Sequence, residues 1–242
     1  MKSKEVLTTW SDYLSMAVRL GMDTQDEIVY RARKLKQRHD ELVERCNQRK
    51  DLALRAGEIL QKYPMVEENY NAEKQIYAHA GEEYTIIVPE RIEEIILEGE
   101  KLHHCVGSSD RYWDRVQRKE SYILFLRRSA EPEKAYYTLE IEPDGTVRQK
   151  RTMYDRQEED IVEATKFLKK WQRVISERLT EQELTLARKS QVLRAQEFKD
   201  LRENQIIINT GELRGSKLVD VLMEDLLENQ EVNAVAALPA AA

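Results

Sequence analysis

SYILFLRRSAEPEKAYYTLEIEPDGTVRQKR, residues Ser121–Arg151, decides the fold. Its opening, SYILFLR, is apolar at odd and even positions alike. That pattern marks a strand covered on both faces, central in a sheet. AYYTLEIE alternates instead, with Tyr137, Leu139 and Ile141 on one face. PDG supplies a hairpin turn, because Pro143 presets φ and Gly145 accepts a positive one. TVRQKR is the return strand. Read as a three-residue loop, the turn sets Leu139 opposite Gln149 and Glu140 opposite Arg148. Gln149 and Arg151 then share a face with Tyr137, Leu139 and Ile141, and inward polar groups of that kind need partners.

Outward from this block, YTIIVP (residues 84–89) reads as a short β-run. Pro89 takes the first position of a helix over ERIEEIILEGEKL, whose Ile92, Ile95, Ile96 and Leu102 make one apolar face. Ser108 or Ser109 caps a short helix over DRYWDRVQR. Downstream, Ile161, Ala164, Leu168, Trp171 and Ile175 stripe a helix over 158–179. Thr180 and Glu183 form a capping box for another, running to about Glu203. QIIINTGEL is a brief strand or extended connector, and SKLVDVLMEDLLEN an amphipathic helix on Leu218, Val221, Leu222 and Leu226. The closing AVAALPAAA reads as disordered. At the other end, TTWSDYLSMAVRLGMD is a helix stopped by Gly21. Thr24 and Glu27 then cap a charged helical stretch to about Pro64, with Gly57 as a place for a kink.

Charged residues make up 35% of the 242-residue chain, and mean hydropathy is -0.69. Such a chain buries one modest core and carries long solvated helices around it. A net charge of -6 argues against a general nucleic-acid coat. Two distant cysteines make no disulfide framework, the N-terminus has no apolar leader run, and nothing reaches the ~18 apolar residues of a membrane helix. A protein of a reducing cytoplasm, with no membrane span, is the expectation.

The chemistry-bearing stretch is EGEKLHHCVGSSD, where His103, His104 and Cys105 stand in a row. Three consecutive residues cannot all converge on one ion, so no metal is expected. A thiol beside an imidazole can serve as a nucleophile, with His104 as its base or orienting group. Gln149, Arg151 and Glu140 would then hold or polarise a substrate, and Gly107 would let a ligand approach the backbone. Equally, a small apolar thiol entering a core is an ordinary packed corner. Arg127, Arg128, Arg148, Lys150, Arg151 and Arg156, with Tyr112, Trp113, Tyr136, Tyr137 and Tyr154, form a basic and aromatic set. Such a set suits single-stranded nucleic acid, or else is a strand face whose charges pair with neighbouring acids.

EGEKLHHCVGSSDRYWDRV, SYILFLRR and AYYTLEIEPDGTVRQKR together resemble the PcfJ-like family, whose members are encoded on bacterial conjugative plasmids, phages and other mobile elements. The matching positions are Leu102, His104, Cys105, Val106, Gly107, Tyr112, Arg127, Thr138, Leu139, Glu140, Gln149 and Arg151. The resemblance covers about Tyr84 to Arg156, and TTWSDYLSMAVRLGMD is similar to the segment preceding the domain in longer members. Where members follow Gln-x-Arg with glycine and then asparagine, this chain has TMYD. The chain is also short for the family.

The resulting expectation is an α+β protein, with a small antiparallel sheet, a hairpin and short helices in the middle and long charged helices at both ends. Residues 1–80 form an N-terminal helical region, 81–157 the PcfJ-like core, 158–205 a long helical region, and 206–242 a connector, amphipathic helix and tail. The first functional reading is a binding or accessory module of a mobile element, with a protein partner ahead of nucleic acid and the long helices available for oligomerisation. The second is a cysteine-dependent hydrolase or transferase using Cys105 and His104 with Gln149, Arg151 and Glu140, no cofactor being called for. His103, Gly107, Tyr112, Arg127, Arg148 and Tyr154 are the candidate contacts to substrate or nucleic acid. The first is preferred because no complete triad or cofactor loop can be assembled.

Overall fold

The computed structural model describes residues 3–209 and 211–232, so the AVAALPAAA tail lies outside the described residues. The chain forms two compact units, 1–58 and 59–242.

In the first unit, α1 (Ser3–Arg19), α2 (Glu27–Tyr30) and the start of α3 (Leu35–Lys62) gather around Tyr13, Ala17, Val29 and Leu42. The stretch read as one helix from Thr24 is broken, and its cap is Asp26, whose carboxylate accepts from Ile28 N at 2.8 Å. The break has a tertiary cause. Val29 turns into the cluster and the Trp10 indole donates to the Tyr30 carbonyl at 3.0 Å, which ends α2 after one turn. Gly57 does not break the helix, and α3 continues through it to Lys62.

The second unit is α+β. Its five strands are β1 (His79–Ala80), β2 (Tyr84–Ile87), β3 (Tyr122–Arg128), β4 (Tyr137–Ile141) and β5 (Val147–Arg151), paired antiparallel in that order. The strand apolar on both faces, β3, is central and buried from Tyr122 to Arg127. One face carries Tyr122, Leu124, Leu126, Tyr137, Leu139 and Ile141 and meets α4 (Val66–Tyr77) and α7 (Ile161–Ser176). There the rings of Tyr77 and Tyr122 lie 5.5 Å apart, and Trp171 Nε1 donates to the Tyr77 carbonyl at 2.9 Å. The opposite face carries Ile123, Phe125, Arg127, Thr138 and Glu140. It meets α5 (Ile92–Leu102) and α6 (Asp110–Gln117), joined to it by Arg127–Glu98 and Arg115–Glu140 pairs. One helix start differs from the sequence reading: α5 begins at Ile92 and leaves Pro89 outside it, while Ser109 is the N-cap of α6 as read, without a side-chain bond.

The hairpin register is the main correction. The loop has three residues, as read, with Glu142 N donating to the Thr146 carbonyl and Ile141 facing Val147. Beyond that pair Glu140 faces Gln149 and Leu139 faces Lys150, so Arg148 is an extra residue, a β-bulge. A one-residue slip moves every later side chain to the other face. Gln149 and Arg151 therefore join Thr138 and Glu140, not Leu139. The force behind the bulge is the Arg148 guanidinium, drawn into a buried cluster with Glu142 (2.8 Å), Glu120 (3.0 Å) and Ser190 Oγ (3.0 Å).

α8 (Glu181–Glu203) opens on the expected Thr180–Glu183 capping box. α9 (Leu218–Asp225) is shorter than its apolar pattern, because Leu227 leaves it to pair with Val147 at the free edge of β5. No helix among the described residues is long and apolar enough to cross a membrane.

Candidate functional site

α5 ends at His103, which takes the left-handed conformation (φ 53) that glycine usually supplies at a helix end. That reversal separates the neighbouring histidines. His103 turns outward and stacks on Tyr154, ring centroids 4.8 Å apart, while His104 turns inward against the sheet. The Cys105–Gly107 turn then lies directly on α5. A Cβ on Gly107 would stand 2.6 Å from the Ile96 Cα and 3.0 Å from the Ile95 carbonyl. Gly107 is thus packed directly against α5, and it is not among the residues that line the cavity described next.

His104, Cys105, Tyr112, Thr138, Glu140, Gln149, Arg151 and Asp155 surround one cavity of about 20 Å³. The register slip is what puts Gln149 and Arg151 there. The cavity adjoins a groove of about 300 Å³ running past Arg111 and Tyr154 to Leu218, Leu222 and Asp225 of α9. Beneath it a relay fixes His104. Arg127 donates to Glu98 Oε1 at 2.8 Å, the Thr138 hydroxyl donates to the same oxygen at 3.3 Å, and His104 Nε2 lies 3.0 Å from Thr138 Oγ1. The Thr138 hydrogen is spent on Glu98, so its oxygen accepts from His104 Nε2–H. Burial holds the imidazole below its ordinary pKa, against the pull of Asp155 and Glu98, so the ring is neutral near pH 7.

Cys105 is exposed as a residue, yet partial burial of its sulfur and the Asp155 carboxylate push the thiol up, against hydrogen bonds from its own backbone and Tyr112. Tyr112 is itself held protonated, chiefly by burial, and its one hydroxyl hydrogen is shared between the Cys105 sulfur and Gln149 Oε1, 3.4 Å away. Glu140 is 2% exposed. Burial alone would favour its neutral form, but Arg115 and Arg148 outweigh that and hold it ionised. One of its oxygens takes Arg115 (2.8 Å) and Ser121 (2.7 Å), while the other has no partner among the described residues.

The basic set disperses. Arg127 and Arg148 are each 5% exposed and ion-paired inside the protein. Arg128 pairs with Asp160, Arg151 with Asp225 and Arg156 with Glu212, while Lys150 donates to the Asp225 carbonyl. These cations are matched by acids rather than laid out along a backbone-binding track. No three His, Cys, Asp or Glu side chains are placed to hold a metal among the described residues.

Sequence reasoning passed over Glu98, Arg115, Asp155 and Asp225. Asp225 left a usable signal, since Leu218, Val221, Leu222 and Asp225 share helical spacing and an acid on an apolar face needs a partner. Burial raises the Asp225 carboxyl from an ordinary 3.8 to about 6, with Arg151 and Lys150 opposing. The folded chain therefore keeps a proton that the unfolded chain releases, and this group's contribution to stability falls as pH rises from about 4 to about 6. Asp225→Asn is expected to flatten that part of the stability profile, measured as urea midpoint against pH. An unchanged slope would exclude burial of Asp225 as its source.

The segment after Arg151 holds Tyr154 (φ 58) and Asp155 (φ 59) in left-handed conformations, which glycine or asparagine adopt at lower cost. This is the loop in which TMYD departs from the family pattern. A family model described as PcfJ-like protein matches residues 9–165, well over half of the chain. The chain belongs to the PcfJ-like family. That match takes in the first unit as well as the sheet. A Listeria innocua serovar 6a protein, described as uncharacterized protein Lin1253/Lin1744, is 30% identical over 152 residues, 62% of this chain and 31% of the relative. The chain thus spans about a third of that relative's length. No solved structure matches.

Proposed function

We propose that this PcfJ-like chain is a binding module, an accessory of a bacterial mobile-element system, which holds part of a protein partner in the groove beside Cys105, Tyr154 and Arg151. One observation carries the reading. Residues of the family pattern from four separate elements, His104 and Cys105, Tyr112, Glu140, and Gln149 with Arg151, converge on one cavity that adjoins a groove. A protein partner is favoured over nucleic acid because the cations around the hairpin are already spent on acids. The thiol-enzyme alternative asks His104 to activate Cys105. Its Nε2 is committed to Thr138, its Nδ1 makes no hydrogen bond to the Cys105 sulfur, and the thiol is pushed away from the thiolate.

Alkylation separates the two. In a Cys46→Ser background, Cys105 is expected to react slowly at neutral pH, at a rate that His104→Ala leaves unchanged. Fast reaction that His104→Ala abolishes would establish the enzyme instead. For the binding reading, proteins encoded on the same element are co-purified with the full chain. Retention is expected to be lost on Tyr154→Ala and on alkylation of Cys105. A partner held equally by both would exclude the groove.

A further inference from the structure

We infer that the cavity between His104, Glu140 and Gln149 is a subsite for a primary carboxamide, whose –NH2 enters the cavity while the rest of the ligand lies in the groove. This rests on the binding reading above and names the chemistry that the site takes.

Two buried acceptors here are bare. Glu140 Oε2 and His104 Nδ1 are both buried, and neither has a hydrogen-bond partner among the described residues. Both residues line the same cavity. The state of each follows from its surroundings. Glu140 is ionised between Arg115 and Arg148, so its free oxygen can only accept. His104 carries its hydrogen on Nε2, toward Thr138, so Nδ1 presents a lone pair. Leaving such groups unmet costs about 1–3 kcal/mol each.

Size and hydrogen count then select the ligand group. A cavity of about 20 Å³ takes one heavy atom with its hydrogens. That atom must donate twice. A hydroxyl donates once and a carboxylate not at all, whereas the nitrogen of –NH2 donates two hydrogens. Any group that displaces solvent from such a hole has to reproduce its hydrogen bonds. Arg115 and Arg148 stand beside Glu140 but are shared with Glu120, Glu142 and Glu197, so charge alone does not choose between an amide and an ammonium, and methylammonium is the control. The amide carbonyl is left to the Gln149 side-chain amide at the cavity wall, since Arg151 is engaged by Asp225 and the Asp155 carbonyl.

The probe is acetamide, titrated against the full chain and followed by nitrogen-resolved NMR of the His104 ring and the Gln149 side-chain amide. A saturable shift at both is expected in the millimolar range. N,N-dimethylacetamide, which has the carbonyl and no N–H, is expected to produce none. Glu140→Gln, which replaces an acceptor by a donor, is expected to abolish the acetamide shift. If that variant does not fold, His104→Phe, read at the Gln149 amide, serves the same purpose. Equal shifts from N,N-dimethylacetamide, stronger binding of methylammonium, or no shift with acetamide would each overturn the inference. Failure here, with partner retention still sensitive to Tyr154→Ala, removes the carboxamide and leaves the binding module standing. Loss of both removes the groove as a site.

Discussion

Arg148→Ala is expected to lower stability by about 3–5 kcal/mol, the range for removing one partner of a buried ion pair. Arg148 is 5% exposed and bonds Glu142, Glu120 and both the carbonyl and hydroxyl of Ser190. Its loss leaves Glu142, which is fully buried, dependent on Arg194 alone, and burial already pushes that carboxyl up. It also removes a tie between β5 and α8 and the group that draws out the bulge. Gln149 and Arg151 then lose what holds them on the cavity face. Urea unfolding in a Trp10→Phe background would follow Trp113 and Trp171, both in the second unit. Arg128→Ala is the comparison, because its pair with Asp160 is half exposed and such pairs contribute about 1 kcal/mol or less. Similar losses from the two variants would show that burial of the Arg148 cluster contributes nothing. Reading Arg148 as a nucleic-acid contact predicts the opposite: a stable variant with weakened binding.

Gly107→Ala is expected to cost about 3 kcal/mol, toward the upper end of overpacking penalties. The obstacle to its methyl is backbone, the Ile96 Cα and the carbonyls of Ile95 and Ile96, not the movable end of a side chain. Relief requires the Cys105–Gly107 turn to lift from α5. A Cβ on Gly99 would likewise stand 3.0 Å from the Gly107 nitrogen, so helix and turn are closely apposed on both sides. Lifting the turn would carry His104 off Thr138 and open the cavity. The readouts are the urea midpoint and the His104 ring resonances, and both are expected to move. A variant of unchanged stability that fails only to bind would support the ligand-approach reading of Gly107.

The amino-acid order alone determined the class of fold. SYILFLR is apolar on both faces and could only be central; PDG could only be a tight turn; the Thr180–Glu183 box could only start a helix. The motif residues could also be named in advance, because a row of His and Cys and inward polar strand positions stand out against an alternating pattern. The N-terminal stretch shows the limit of such local reading. A charged helical pattern continued where Val29 and the Trp10 indole end α2.

Which side chains meet was decided by tertiary structure. The hairpin loop was legible, yet one extra residue at Arg148 reversed the facing of everything after it. No local rule places that bulge, because its cause is a cluster assembled from β3's approach, β4, β5 and α8, far apart in the chain. The same holds for His104, whose proton is placed by Thr138 and, through it, by Glu98 and Arg127. Buried charge must be matched wherever the fold brings it, so the state of each site residue belongs to the packed protein and not to its position in the sequence.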